Sequence, residues 1–157
     1  MNLEKVVFGF FVVLAATLNF GFFIGDIDDP ALHNVYELFA AVVVSLIATV
    51  LKFGDRTQLG AVHLATSLVA SLQLLAAAVV WTYAANVLTN GGLSPTQTAT
   101  VVSLSGGALF ANIVSVVLLV VETVVSQLAW WVPSGPQAGE KLEEVMATPE
   151  TAVQVEP

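Results

Sequence analysis

The sequence predicts an all-α, polytopic membrane protein: a bundle of four transmembrane helices with both termini in the cytoplasm. Three observations carry this. The chain of 157 residues is 57% hydrophobic and 10% charged, against about 25% charged residues in an ordinary soluble domain. Its apolar residues gather into four runs, each long enough to cross a hydrocarbon core of about 30 Å. Its four basic residues, Lys5, Lys52, Arg56 and Lys141, fall only in the first, third and fifth polar gaps. With four spans those gaps share one side, and an excess of Lys and Arg marks the cytoplasmic side.

The first span runs from about Val6 to Ile24. A cleaved leader is the rival reading, because Lys5 precedes the apolar run. The bulky Phe22-Phe23-Ile24 and the lack of a small-x-small site after them favour a retained span. The second span covers about Val35 to Phe53. Asp29 is a good N-cap and Pro30 suits a first helical turn, so the helix is expected to begin ahead of the membrane. Asp55 is a candidate cap for the third span, about Ala61 to Leu88, where Trp81 and Tyr83 form an aromatic belt. Asn90-Gly91-Gly92 then turns the chain.

The fourth span, about Thr98 to Trp131, is longer than a bilayer needs. It is expected to tilt, protrude, or break at Gly106-Gly107. Residues 1–132 thus form the membrane domain. Residues 133–157 form an acidic, mostly disordered cytoplasmic tail, poor in aromatics.

Composition excludes several classes. No cysteine is present, so disulfides and thiol metal sites are ruled out. No basic patch exists to neutralise phosphate, so nucleic acid is not a partner. No nucleophile elbow, HExxH or glycine-rich phosphate loop appears, so no enzyme is expected. No cofactor or metal is expected either. His33 and His63 fall on opposite sides of the membrane and cannot share one ion or a haem.

Three groups of residues remain as candidates. Asp26, Asp28 and Asp29, with His33 and Glu37, form an acidic outer mouth that attracts cations. If Pro30 opens the second helix, His33 and Glu37 are an i, i+4 pair. Within the spans, Asn19, Gln73 and Asn112 lie at mid-depth, where an amide must find a partner in the bundle. Gln73 and Asn112 are placed to meet. Glu122 is a carboxylate inside an apolar run, a functional hypothesis by default. His63 is its expected partner by depth, with Lys52 and Arg56 as alternatives. Finally, Ala99, Ser103, Gly107, Ala111 and Ser115 recur every fourth residue, a small-residue ridge for close helix packing.

The strings Gly25-Asp26-Ile27-Asp28, His33-Asn34-Val35-Tyr36-Glu37-Leu38-Phe39 and Leu51-Lys52-Phe53-Gly54-Asp55-Arg56-Thr57-Gln58 resemble a family of small uncharacterised inner-membrane proteins of Gram-negative bacteria. The resemblance covers about the first ninety residues. It implies a bacterial inner-membrane location and carries no activity with it. The expected function is a small oligomeric protein that forms or assists a cation pathway. A non-conducting accessory or scaffold subunit of a larger membrane complex is the alternative. The bilayer, further copies of the chain or a larger complex, and cations are the expected partners.

Overall fold

A computed structural model describes residues 3–53, 57–88 and 92–129. Its internal contacts divide the chain into two units, residues 1–122 and 123–157. The acidic tail, Asp55, Arg56 and Trp130-Trp131 lie outside the described residues.

Among the described residues, four helices are long and apolar enough to cross a membrane. Helix α1 is Leu3–Phe23. A 3₁₀ turn, Pro30–Leu32, precedes α2, Val35–Lys52. Helix α3, Gln58–Tyr83, widens into a π-turn over Ala84–Leu88. Helix α4 is Pro95–Ala129. Side-chain bonds join α1 to α4, α2 to α3 and α3 to α4. Helix α1 also packs on α2, so within residues 3–122 the helices close a ring of antiparallel neighbours. One end of the ring carries Lys5, Lys52 and His63, and the other carries the Asp26 loop.

The helix starts differ from the expected ones for local reasons. Asp29 does cap, accepting from the Ala31 N–H at 2.9 Å, but it caps only the 3₁₀ turn. The chain is extended at His33, and Asn34 caps α2 by accepting from the Tyr36 N–H. His33 and Glu37 are thus not an i, i+4 pair on one helix. Asn34→Ala should lower stability by about 1 kcal/mol, the usual worth of such a cap, read from thermal unfolding in micelles. The cap of α3 is Thr57, which accepts from the Gly60 N–H at 2.9 Å. A reciprocal capping box opens α4: the Ser94 N–H donates to Gln97 Oε1 and the Gln97 N–H to Ser94 Oγ.

Helix α4 runs without interruption through Gly106-Gly107. These glycines serve close approach instead of a break. A Cβ at Gly106 would lie 2.8 Å from the Phe23 ring, and one at Gly107 would lie 2.8 Å from the Gln73 amide. The ring of α4 neighbours fills the space that side chains would need.

Burial follows the rule for a lipid solvent, with polar groups turned inward. Asn19, Ser45, Thr49, Ser67, Ser71, Thr98, Ser105, Asn112 and Ser115 are buried beside Phe22, Leu38 and Leu74. Phe110 is 70% exposed, Val79 66% and Leu72 64%. A water-soluble protein rarely exposes so much contiguous apolar surface.

Candidate functional site

At the Lys5 end, all four helices contribute to one cluster. Lys5 and Phe8 stand one turn apart on α1, so they share a face. Lys52 is the last residue of α2, His63 lies in the second turn of α3, and Glu122 is in α4. Antiparallel closure brings these positions to one level.

Glu122 is the centre. Lys5 Nζ donates to Glu122 Oε1 at 2.6 Å. The other carboxylate oxygen, Oε2, lies 3.7 Å from His63 Nε2. The side chains step inward: Lys5 is 49% exposed, Glu122 17% and His63 0%. The Phe8 ring stands edge-on to the His63 ring, with centroids 5.4 Å apart. Its face receives the Lys52 ammonium, 4.3 Å from the ring centre, a cation–π contact. Lys52 is itself buried. One carboxylate therefore bridges a solvent-reachable ammonium and a fully buried imidazole. A hydrogen bond between Glu122 and His63 would take a small movement, since 3.7 Å is beyond hydrogen-bond length.

His63 is the partner expected for Glu122. The pair sits at the level of the first turn of α1, so Glu122 belongs to the end of the bundle and not to its middle. Lys5 and Phe8 were not among the expected members. The signal for Lys5 was available: a basic residue at the start of α1 and a carboxylate near the end of an antiparallel α4 must come to similar depth.

Beyond this cluster the interior carries further polar groups. Thr66 and Ser115 share a hydrogen bond of 2.7 Å across α3 and α4. Ser71 bonds both Ser45, at 3.0 Å, and Thr49, at 2.9 Å, across α2 and α3. Asn19 Nδ2 donates to the Ser105 carbonyl at 3.1 Å, and Ser105 Oγ donates back to Asn19 Oδ1. Gln73 and Asn112 do not meet as expected. The Gln73 amide packs on Gly107 with Oε1 unpartnered, and the buried Asn112 keeps Nδ2 unpartnered.

The Asp26 end is less organised than the sequence suggests. Asp26, Asp28 and Asp29 are exposed. Glu37 is half-buried against Gly21, where an added Cβ would lie 2.6 Å from its Oε2. Both ring nitrogens of His33 face backbone carbonyls. Among the described residues, no three acidic or histidine side chains converge to hold a metal ion.

The ridge on α4 also divides. A four-residue step on a helix of 3.6 residues per turn rotates by about 40° each time. Ser103 consequently faces outward, while Ala111 and Ser115 are buried and Ala99 and Gly107 are half-buried. Gly107 and Ser115 meet Gln73 and Thr66 of α3 in the same chain.

Fold and surface together define a multi-pass membrane protein built as a four-helix bundle. The model of a family of unknown function, DUF6394, matches residues 32–123, and the chain belongs to that family. The match covers α2, α3 and most of α4, and so includes Lys52, His63 and Glu122 but not Lys5. It begins later and ends later than the ninety-residue resemblance described above. No curated protein and no solved structure matches the chain.

Proposed function

We propose that this protein forms or assists a cation pathway in a bacterial inner membrane, and that the cation is the proton. Both termini are cytoplasmic in this reading, which places the Lys5 cluster at the inner face in accord with the positions of the basic residues. The observation that carries the proposal is Glu122, bonded to half-exposed Lys5 on one oxygen and approaching buried His63 with the other.

The choice of the proton rests on packing. Phe22, Leu38 and Leu74 are fully buried between the helices, packing that suits a proton better than a metal cation with its ligands. A proton needs only groups that hydrogen-bond in turn, and the bundle contains hydroxyls and amides along its length. A sodium, potassium or calcium ion would require an axis between several copies or a larger partner.

The test is flux through the purified protein in liposomes, with proton, sodium, potassium and calcium gradients imposed separately. Proton flux that falls on neutralising Glu122 supports the proposal. Metal-ion flux without proton flux overturns the choice of cation. The same close packing of the interior favours the second reading, an accessory subunit that conducts nothing. A folded, correctly inserted and silent protein would establish that reading instead.

A further inference from the structure

The other histidine of the chain, His33, lies at the opposite end, and its geometry has a separate meaning. His33 is 4% exposed. Its Nδ1 is 2.6 Å from the carbonyl oxygen of Phe22, and its Nε2 is 3.0 Å from that of Asp26. A neutral imidazole has one N–H and one bare lone pair. In the neutral form one of these contacts would set lone pair against lone pair at hydrogen-bond distance. Only the imidazolium donates to both carbonyls.

The surroundings suit a cation. The Phe22 carbonyl belongs to the last turn of α1, where carbonyls lack intrahelical partners and the helix dipole is negative. Helix α1 has no basic residue in that turn, and the His33 ring reaches it from beyond the loop. The Phe22 ring lies 5.4 Å from the imidazole, centre to centre. The loop wraps closely over the ring. Gly25 adopts φ +138°, and a Cβ there would lie 2.9 Å from Leu32 Cβ and 3.4 Å from His33 Cε1.

The ionisable groups at this end are few. The loop contributes Asp26, Asp28 and Asp29, α2 contributes Tyr36 and Glu37, and α3 contributes Tyr83. Helix α1 beyond Lys5 and helix α4 before Glu122 contribute none. No cation other than His33 is present here among the described residues.

We propose that His33 is a proton-operated latch. With its proton, it ties the end of α1 and the acidic loop to the start of α2. Without it, one of the two ties is lost and the loop from Gly25 to Asp29 is released. The second bond therefore exists only while the ring carries both protons. This inference does not depend on proton flux at the Lys5 end, and each can fail without the other.

The test uses the full chain in lipid nanodiscs with ¹⁵N-labelled histidine. Two histidines give two sets of ring signals, and the set missing from His33→Gln belongs to His33. Near pH 5.5, both His33 nitrogens should be protonated, and one near pH 9. Amide exchange over residues 25–34, corrected for its intrinsic rate, should be about tenfold slower at the lower pH, the low end for a bond to a charged group. His33→Gln, which cannot gain a charge, should lose that pH dependence. A singly protonated ring near pH 5.5, or equal loop exchange at both values in the unaltered protein, overturns the latch. Should His33→Gln fail to fold, the exchange comparison on the unaltered protein decides alone.

Discussion

Glu122→Gln should reduce proton flux in liposomes nearly to the protein-free level while the bundle remains folded. Glutamine preserves the size and one acceptor of the carboxylate but cannot take up and release a proton. The inward step from Lys5 through Glu122 to His63 is then broken at its middle. Little stability should be lost, because Lys5 is half-exposed and such pairs contribute about 0–1 kcal/mol. Glu122→Asp should retain part of the flux, since the acid survives at shorter reach. Asp26→Asn combined with Asp29→Asn should leave flux nearly unchanged, because both side chains are exposed and one serves as a cap. The opposite pattern, with flux lost at the aspartates and kept at Glu122→Gln, would move the pathway away from the Lys5 cluster.

Gly107→Leu should destabilise the bundle. Even a Cβ at this position meets both Gln73 amide atoms at 2.8 Å, and leucine adds a branched side chain beyond it. Overpacking of a filled interior costs about 1–3 kcal/mol. The separation of α3 from α4 would also strain the Thr66–Ser115 bond two turns away. Ser103→Leu makes a similar change on the exposed face of the same helix and should shift stability by less than about 0.5 kcal/mol. Gln73→Ala in the Gly107→Leu background should recover part of the loss by clearing the amide. Unfolding of the three variants in mixed micelles reads this directly. Equal stability of Gly107→Leu and Ser103→Leu would show that Gly107 is not the close contact between α3 and α4.

The sequence made the four spans legible because a bilayer imposes a minimum apolar length that few other structures satisfy. It also brought His63 to the depth of Glu122, since antiparallel helices of known length fix relative depth. Rotation about each helix axis was much harder to read. Gln73 and Asn112 lie at comparable depths, yet Gln73 turns to Gly107 and Asn112 leaves Nδ2 unpartnered. A four-residue repeat looked like one ridge although it winds around α4. Ser45, Thr49 and Ser71 passed unremarked, because small hydroxyl residues are common in apolar spans and only their pairing marks them. Ser94-Pro95-Thr96-Gln97 carries a visible helix-start signature, whereas the expected fourth span began later, at Thr98. Lys5 was read for topology alone.

The bond between Asn19 and Ser105 joins positions 86 residues apart, and this has a consequence for biogenesis. A nascent chain delivers α1 to the bilayer long before the ribosome has made α4. Asn19 must then wait in a three-helix intermediate without its Ser105 partner, whereas Thr66 can already bond the Val62 and His63 carbonyls of its own helix. An amide facing lipid is a strained state that an insertase or membrane chaperone can recognise and shield. Arrival of α4 relieves Asn19 and also brings Glu122 to Lys5. Completion of the bundle should therefore be a single late, cooperative event, and a chain truncated before α4 should be retained by the insertion machinery or degraded.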